Sequence, residues 1–209
     1  VLDFQASLLD LNLDRVALGA LRGRVERREL SDGAWVDLRR GWLCGADEVF
    51  ADLVHDVPWQ AERRPMYDDV VAVPRLLCHY AAGDLLPHPI LEHARDTLSS
   101  YYADELGEPF VTAGCCYYRD GHDSVAWHGD RIGRGRSADT MVAILSLGSP
   151  RRLSLRPVGG TTAAAYPLGH GDLIVMGGSC QRTWEHAILK TARPVGPRIS
   201  IQFRPRNVF

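Results

Sequence analysis

Lysine is almost missing from this sequence: Lys190 is the one lysine, and every other basic residue apart from histidine is an arginine. The positive charge is therefore carried by planar guanidinium forks, which suit carboxylates and phosphates. An excess of positive charge is missing too. The formal net charge is −2, so no global basic field advertises nucleic acid. No apolar run approaches the roughly 18 residues that a membrane span needs, so no membrane partner is expected. Residues 1–10 contain acidic side chains and no basic head, so they do not read as a secretory signal, and a cytoplasmic location is expected. The five cysteines (Cys44, Cys78, Cys115, Cys116 and Cys180) form no CxxC pair. Their odd number and spacing support neither a disulfide framework nor a zinc site, and reduced, mostly buried thiols are expected. Internal repeats and low-complexity tracts are absent.

What remains is an ordinary globular composition, 45% hydrophobic and 24% charged, in 209 residues. That length fills one well-buried domain or two small ones. Residues 4–30 show no firm period. Ala46, Val49, Phe50, Leu53 and Val54 fall at helical spacing before Pro58, which predicts a helix over 46–55. Residues 62–74 are polar and carry Pro65 and Pro74, so they read as an exposed loop or ribbon. A second helix is predicted over 89–106, with Leu91, Ala94, Leu98 and Leu106 as its buried stripe. After Pro109 the pattern shifts to short period-2 or continuous apolar runs, broken by Gly-containing turns. Strands are predicted at Val111–Arg119, Ser124–His128, Thr140–Leu147, Arg151–Arg156, Ala164–Leu168, Asp172–Met176, Thr183–Ile188 and Arg198–Arg204. Successive strands without intervening helices point to a closed sandwich or jelly roll. The fold class is α+β, with N-terminal helices and a mobile-looking segment before a β-barrel.

Two places carry the pattern His-any-Asp: His128-Gly129-Asp130 and His170-Gly171-Asp172. Residues i and i+2 of an extended chain point the same way. Two histidines and a carboxylate on one face of an octahedron leave positions open for co-substrates, an arrangement suited to non-haem Fe(II). The pattern alone does not choose. His170 and Asp172 sit in a Gly-rich turn, where an aspartate is explained by turn chemistry. His128 ends a strand, and several strands separate it from His186, the candidate third ligand. Arg198, Ser200, Gln202 and Arg204 share one face of the last strand, with Ile199, Ile201 and Phe203 on the other. An exposed polar face is the plain reading. Inside a barrel, however, two arginines about 20 Å apart along the strand would need an anionic partner, such as a dicarboxylate held at both ends.

The stretches CCYYRDGHDSVAWHGD (115–130), VAILSLGSPRRLSLRP (142–157), LGHGDLIVMGGSCQRTWEH (168–186) and PRISIQFRP (197–205) together resemble the AlkB family of DNA and RNA dealkylating oxygenases. MYDDVVAVPRL (66–76) is similar to that family's substrate lid. The resemblance covers about residues 35–205. It implies one oxygenase domain over 1–209, with N-terminal helices and a nucleotide-recognition lid over 1–107. A double-stranded β-helix (jelly-roll) catalytic core would follow over 108–209. His128, Asp130 and His186 would be the catalytic iron ligands. Arg198 and Arg204 would bind 2-oxoglutarate, one at each carboxylate, and Tyr118 would hydrogen-bond it. Cys116 and Ser200 occupy co-substrate positions where the family usually has asparagine, and Ile132 stands where many members carry an acidic residue near the base. The implied reaction uses Fe(II), 2-oxoglutarate and O2. It removes N-alkyl groups from DNA or RNA bases, releasing formaldehyde, succinate and CO2 in alkylation repair. A monomer acting on single strands or a flipped base is expected. Met66, Tyr67, Asp68, Trp59 and Arg131 are candidate substrate contacts, with Arg134 and Arg136 at phosphates and Arg63, Arg64 and Arg75 as weaker candidates. Trp59 is read more readily as a core residue after a helix, and Trp127 and Trp184 as core packing before support for the ligands. The alternatives are a 2-oxoglutarate-dependent hydroxylase or demethylase of a small molecule or protein side chain, and a non-catalytic binding barrel.

Overall fold

The computed structural model describes residues 15–66 and 69–208, and for 63–66, 69–72 and 134 the backbone alone. The N-terminal half runs β1 (Ala17–Leu18), β2 (Glu26–Glu29), β3 (Ala34–Arg39), β4 (Leu43–Cys44), α1 (Ala46–Asp56), β5 (Gln60–Met66), β6 (Asp69–Tyr80), α2 (Pro89–Tyr101) and α3 (Ala103–Leu106). The C-terminal half runs β7 (Thr112–Tyr118), β8 (Val125–His128), β9 (Val142–Gly148), β10 (Arg151–Pro157), β11 (Ala164–Leu168), β12 (Asp172–Gly178), α4 (Cys180–Thr183), β13 (Trp184–Ile188) and β14 (Arg198–Arg204).

The last eight strands form a jelly roll. β12, β9, β14 and β7 lie side by side in one sheet, and β11, β10, β13 and β8 form the facing sheet. All these pairings are antiparallel. Alternation sorts the side chains between two cores. Val142, Ile144, Ile174 and Met176 pack between the sheets with Leu153, Leu155 and Trp184. Ala143, Leu145, Leu147, Val175, Ile199, Ile201 and Phe203 pack on the other face, against Val49 and Leu53 of α1 and Leu91 and Leu98 of α2. Burial on both faces explains why β9 and β12 read as unbroken apolar runs.

The eight C-terminal strands fall where the period-2 and continuous apolar runs predict them. α1 also forms as expected, because Ala46, Val49 and Leu53 bury one stripe before Pro58. α2 starts where predicted: the His88 side chain accepts a bond from the Ile90 amide and Pro89 fills the first turn. It ends earlier than the spacing suggests. Tyr102 leaves helical geometry (φ −100°, ψ 13°), and its buried hydroxyl donates to Asp37 at 2.9 Å.

The N-terminal half is not only helical. β2 and β3 extend the larger sheet beyond β12, and β6 and β5 extend it beyond β7, giving eight strands in all. β3 eluded the period-2 reading because both its faces are buried and its buried charge, Asp37, is hidden in an ion pair with Arg27. Residues 62–66 and 69–74 fall in β5 and β6, which pair antiparallel, so the ribbon form is the one adopted there. No helix among the described residues is long and apolar enough to cross a membrane.

Leu145, fully buried between β9 and the helices, tests the outer core. Leu145→Ala should lower unfolding free energy by about 2–5 kcal/mol in denaturant titration, whereas truncation of Leu85, 87% exposed, should change it by less than about 0.5 kcal/mol.

Candidate metal centre

His128 ends β8, and His186 lies opposite it in β13. Their ring centroids are 4.3 Å apart. Asp130, two residues beyond His128, completes a group whose ligand atoms all lie within 4.8 Å of one another. Gly129 allows the turn between them: a Cβ there would meet the Gln181 carbonyl at 2.5 Å. The His128 Nδ1–H donates to the Ala126 carbonyl at 2.8 Å. That fixes the tautomer and leaves Nε2 facing Asp130, 3.8 Å from its carboxylate.

Electrostatics favour the ligating protonation states. Burial pushes the His186 imidazole down to about 3, and neighbouring His128 acts in the same direction. Burial alone would raise Asp130, but Arg204, His186 and His128 outweigh it and hold the carboxylate down to about 2. Neutral imidazole and ionised carboxylate are the forms a metal requires. The Arg204 Nε–H donates to Asp130 at 2.6 Å. The second His-any-Asp pair is structural. His170 accepts from the Gly148 amide, and Asp172 accepts from the Gly41 and Gly169 amides and pairs with Arg40.

The three ligand candidates stand on a cleft of about 1280 Å³, His128 and Asp130 lining it directly. Cys116, Gln202 and Arg204 line it too, and Ser200, Tyr118 and Arg198 follow along the same β7–β14 strand pair. Arg198 is 1% exposed. Its Nε donates to the Ser146 hydroxyl at 3.0 Å, the Tyr118 ring lies 5.2 Å from its carbon, and its buried Nη1 has no partner among the described residues. A buried guanidinium without a carboxylate demands an anion. The residues therefore fit a bound carboxylate. Burial, with Cys116 adding to it, raises the Tyr118 phenol to about 12, so it remains a hydrogen-bond donor. Arg204, expected only as a co-substrate arginine, also neutralises Asp130.

Sequence reasoning missed Gln202, Gln181 and Ser146. Gln202 donates to Ser200 and accepts from the Cys116 thiol. Gln181 accepts the Asp130 amide at 3.0 Å. Gln202 was marked by sharing the arginine face; the other two had no signal.

The substrate candidates divide. Tyr67 and Asp68 lie outside the described residues, as do the side chains of Arg63, Arg64, Met66 and Arg134. Trp59 is not on the cleft: it packs against Tyr117, 5.3 Å between centroids, and its indole donates to the Leu53 carbonyl. Arg131 turns toward the Gln181 carbonyl and Glu185. Arg136 is exposed in a short turn. Arg75 lines the cleft and donates to the Ser124 carbonyl. Ile132 lines it as well, 72% exposed. Trp184 is core; Trp127 lies under Arg156.

Residues 84–204 match the family model of the 2OG-Fe(II) oxygenase superfamily. The chain belongs to that superfamily. Several of its curated relatives are AlkB homologues. It is 33% identical over 190 residues to the alpha-ketoglutarate-dependent dioxygenase alkB homolog 3 of Bos taurus, covering 81% of this chain and 63% of the relative. It is 25% identical over 182 residues to the DNA oxidative demethylase ALKBH2 of Homo sapiens, covering 76% and 68%. The chain thus spans under two thirds of the length of the homolog 3 protein. Among solved structures, OsALKBH1 superposes with a TM-score of 0.58 at 14% identity, over 87% of this chain and all of that one. A Trichoplax adhaerens prolyl hydroxylase reaches 0.60 at 11% identity, over 85% and 84%. Those two show the shared fold. The superfamily's Fe(II) and 2-oxoglutarate are the groups for which the His-Asp-His cluster and buried Arg198 are suited.

Acid should expose the buried ligands. The unfolded chain protonates its histidine near pH 6.5, whereas native His186 resists to about 3. Its contribution to stability is therefore full above pH 6.5 and lost as pH falls toward 3. The contribution of Asp130 is present above its unfolded pKa and lost as pH falls through about 2. The metal-free protein should lose thermal midpoint between pH 6.5 and 3, and His186→Gln should flatten that slope in a pH series.

Proposed function

We propose that this 2OG-Fe(II) oxygenase removes alkyl groups oxidatively from N-alkylated bases of DNA or RNA, acting as a monomer on single-stranded or flipped bases in alkylation repair. The observation that carries this reading is the His128–Asp130–His186 cluster at a cleft large enough for a base, with Arg198 on the adjoining strands and its buried Nη1 without a partner among the described residues. Bound Fe(II), with 2-oxoglutarate and O2, supplies the oxidation that hydroxylates an N-alkyl carbon, yielding succinate, CO2 and, from a methyl group, formaldehyde. His128, Asp130 and His186 would hold the metal on one face. Arg198 would grip one carboxylate of 2-oxoglutarate, Tyr118 would donate to it, and Arg204 would hold Asp130 ionised while flanking the other end. The sheet walls keep bulk water from the enclosed side. A stacked base is out of reach of such a cleft, so the target must be single-stranded or extruded.

A second reading has specific support. Leu85, Ile132 and Leu189 give the cleft exposed apolar side chains, and Arg131 and Arg156 already face Glu185. A small molecule or protein side chain would suit such a mouth as well as a nucleic acid backbone.

A turnover panel, reading formaldehyde from 1-methyladenine and 3-methylcytosine oligonucleotides and the restored base from etheno-containing ones, separates the two. Turnover on a methylated oligonucleotide is expected; 2-oxoglutarate consumption without turnover on any nucleic acid would favour the second reading. His128→Ala should abolish product formation. Arg198→Met should raise the half-saturating 2-oxoglutarate concentration about 10–100-fold, the loss of a charge-assisted contact.

A further inference from the structure

β8 carries the first ligand but is poorly held by its own backbone. It has four residues, lies at the edge of its sheet, and pairs with β13 through His128–His186 and Val125–Ile188 with an irregularity between them. A short irregular edge strand frays unless side chains restrain it. Alternation sets Trp127 and Glu185 on the strand face opposite to His128 and His186, with Trp127 also bordering the cleft. Trp127 precedes His128, Glu185 precedes His186, and Arg156 pairs with Glu185 in the register of β10 against β13. The Arg156 guanidinium lies 4.4 Å from the Trp127 ring centre. Its Nε and Nη2 reach one Glu185 oxygen at 2.9 and 2.8 Å. The other Glu185 oxygen faces Arg131 at 3.6 Å, directly after Asp130. One carboxylate thereby ties β10 to β13 and, through Arg156, to β8, while Arg131 adds only a charge contact, its Nη2 making no hydrogen bond among the described residues.

We infer that Glu185, Arg156 and Trp127 form a positioning clamp that fixes the two histidine ligands from the opposite face of their strands. The path to His128 is short. Trp127 lies between Ala126, whose carbonyl receives the His128 Nδ1–H, and His128 itself. Holding the indole holds that peptide segment, and with it the tautomer and direction of the imidazole. The arginine is suited to the task because its planar fork stacks on the indole while bonding a carboxylate; lysine would do neither as well. The clamp rests on His128, Asp130 and His186 being the metal ligands.

The test uses metal-free protein, titrated with Co(II) followed by its visible absorption, and long-range proton–nitrogen NMR of the histidine rings. Arg156→Met and Glu185→Gln should each weaken Co(II) binding about tenfold, and the double variant should lose no more than either single one, as expected for residues acting as a unit. The parent His128 should show one tautomer without metal, and the variants a mixture. Thermal midpoints should stay at the parent value. Unchanged affinity and tautomer, additive losses, or losses that only track a falling midpoint would overturn the clamp. If Arg156→Met does not fold, Arg156→Lys keeps the charge and should still lose affinity; parent-like binding and a single tautomer there overturn the clamp. Failure of the parent to bind Co(II), or retention of binding in His128→Ala, would instead refute the ligand assignment. The tautomer comparison still judges the clamp in that event.

Discussion

The ion pair between Asp130 and Arg204 joins positions 74 residues apart in the chain. A carboxylate buried this deeply would ordinarily take up a proton. The guanidinium, aided by the two imidazoles, reverses that preference. It also links the turn after β8 to the end of β14, and so sets the distance between the metal-binding corner and the strand that carries Arg198. Gly114, opposite Gln202 in β7, leaves the necessary room, since a Cβ there would come within 3.0 Å of the Arg204 guanidinium. The cluster of three ligands is thus a property of the closed barrel rather than of the His-Gly-Asp segment alone.

Much of this arrangement was legible in the residues. Period-2 alternation identified the jelly-roll strands because most present one consistent face to the inter-sheet core. The same alternation put Arg198 and Arg204 together, and spacing separated the metal pair from the turn pair at His170 and Asp172. What stayed hidden had physical causes. β3 carries Trp35 and Asp37 on one face, and only Tyr102 and Arg27, distant in sequence, make that aspartate compatible with burial. The break after Tyr101 is likewise a tertiary effect, since the Tyr102 hydroxyl seeks Asp37. Gln181 supports Asp130 from a four-residue helix whose own sequence gives no hint of its neighbour.

The site candidates read from chain position fared less evenly than those read from alternation. Alternation constrains direction, and so the arginine face proved to be the barrel face. Proximity in sequence does not constrain direction. Arg131 follows the ligand turn but faces Glu185, and Trp59 follows α1 but joins the core beneath Tyr117. Conversely, Arg204 pairs with Asp130, a contact that no strand pattern encodes.

The larger sheet serves as a party wall between two cores. Ile199 and Ile201 face the helices, and each is bonded through the backbone to Ser200, with Arg198 beside Ile199. A change in side-chain volume on the helix side therefore moves the strand on which the buried guanidinium stands. The affinity of the proposed dicarboxylate site would thus be adjusted from behind, by packing residues that never meet the ligand, while the donors themselves remain unaltered.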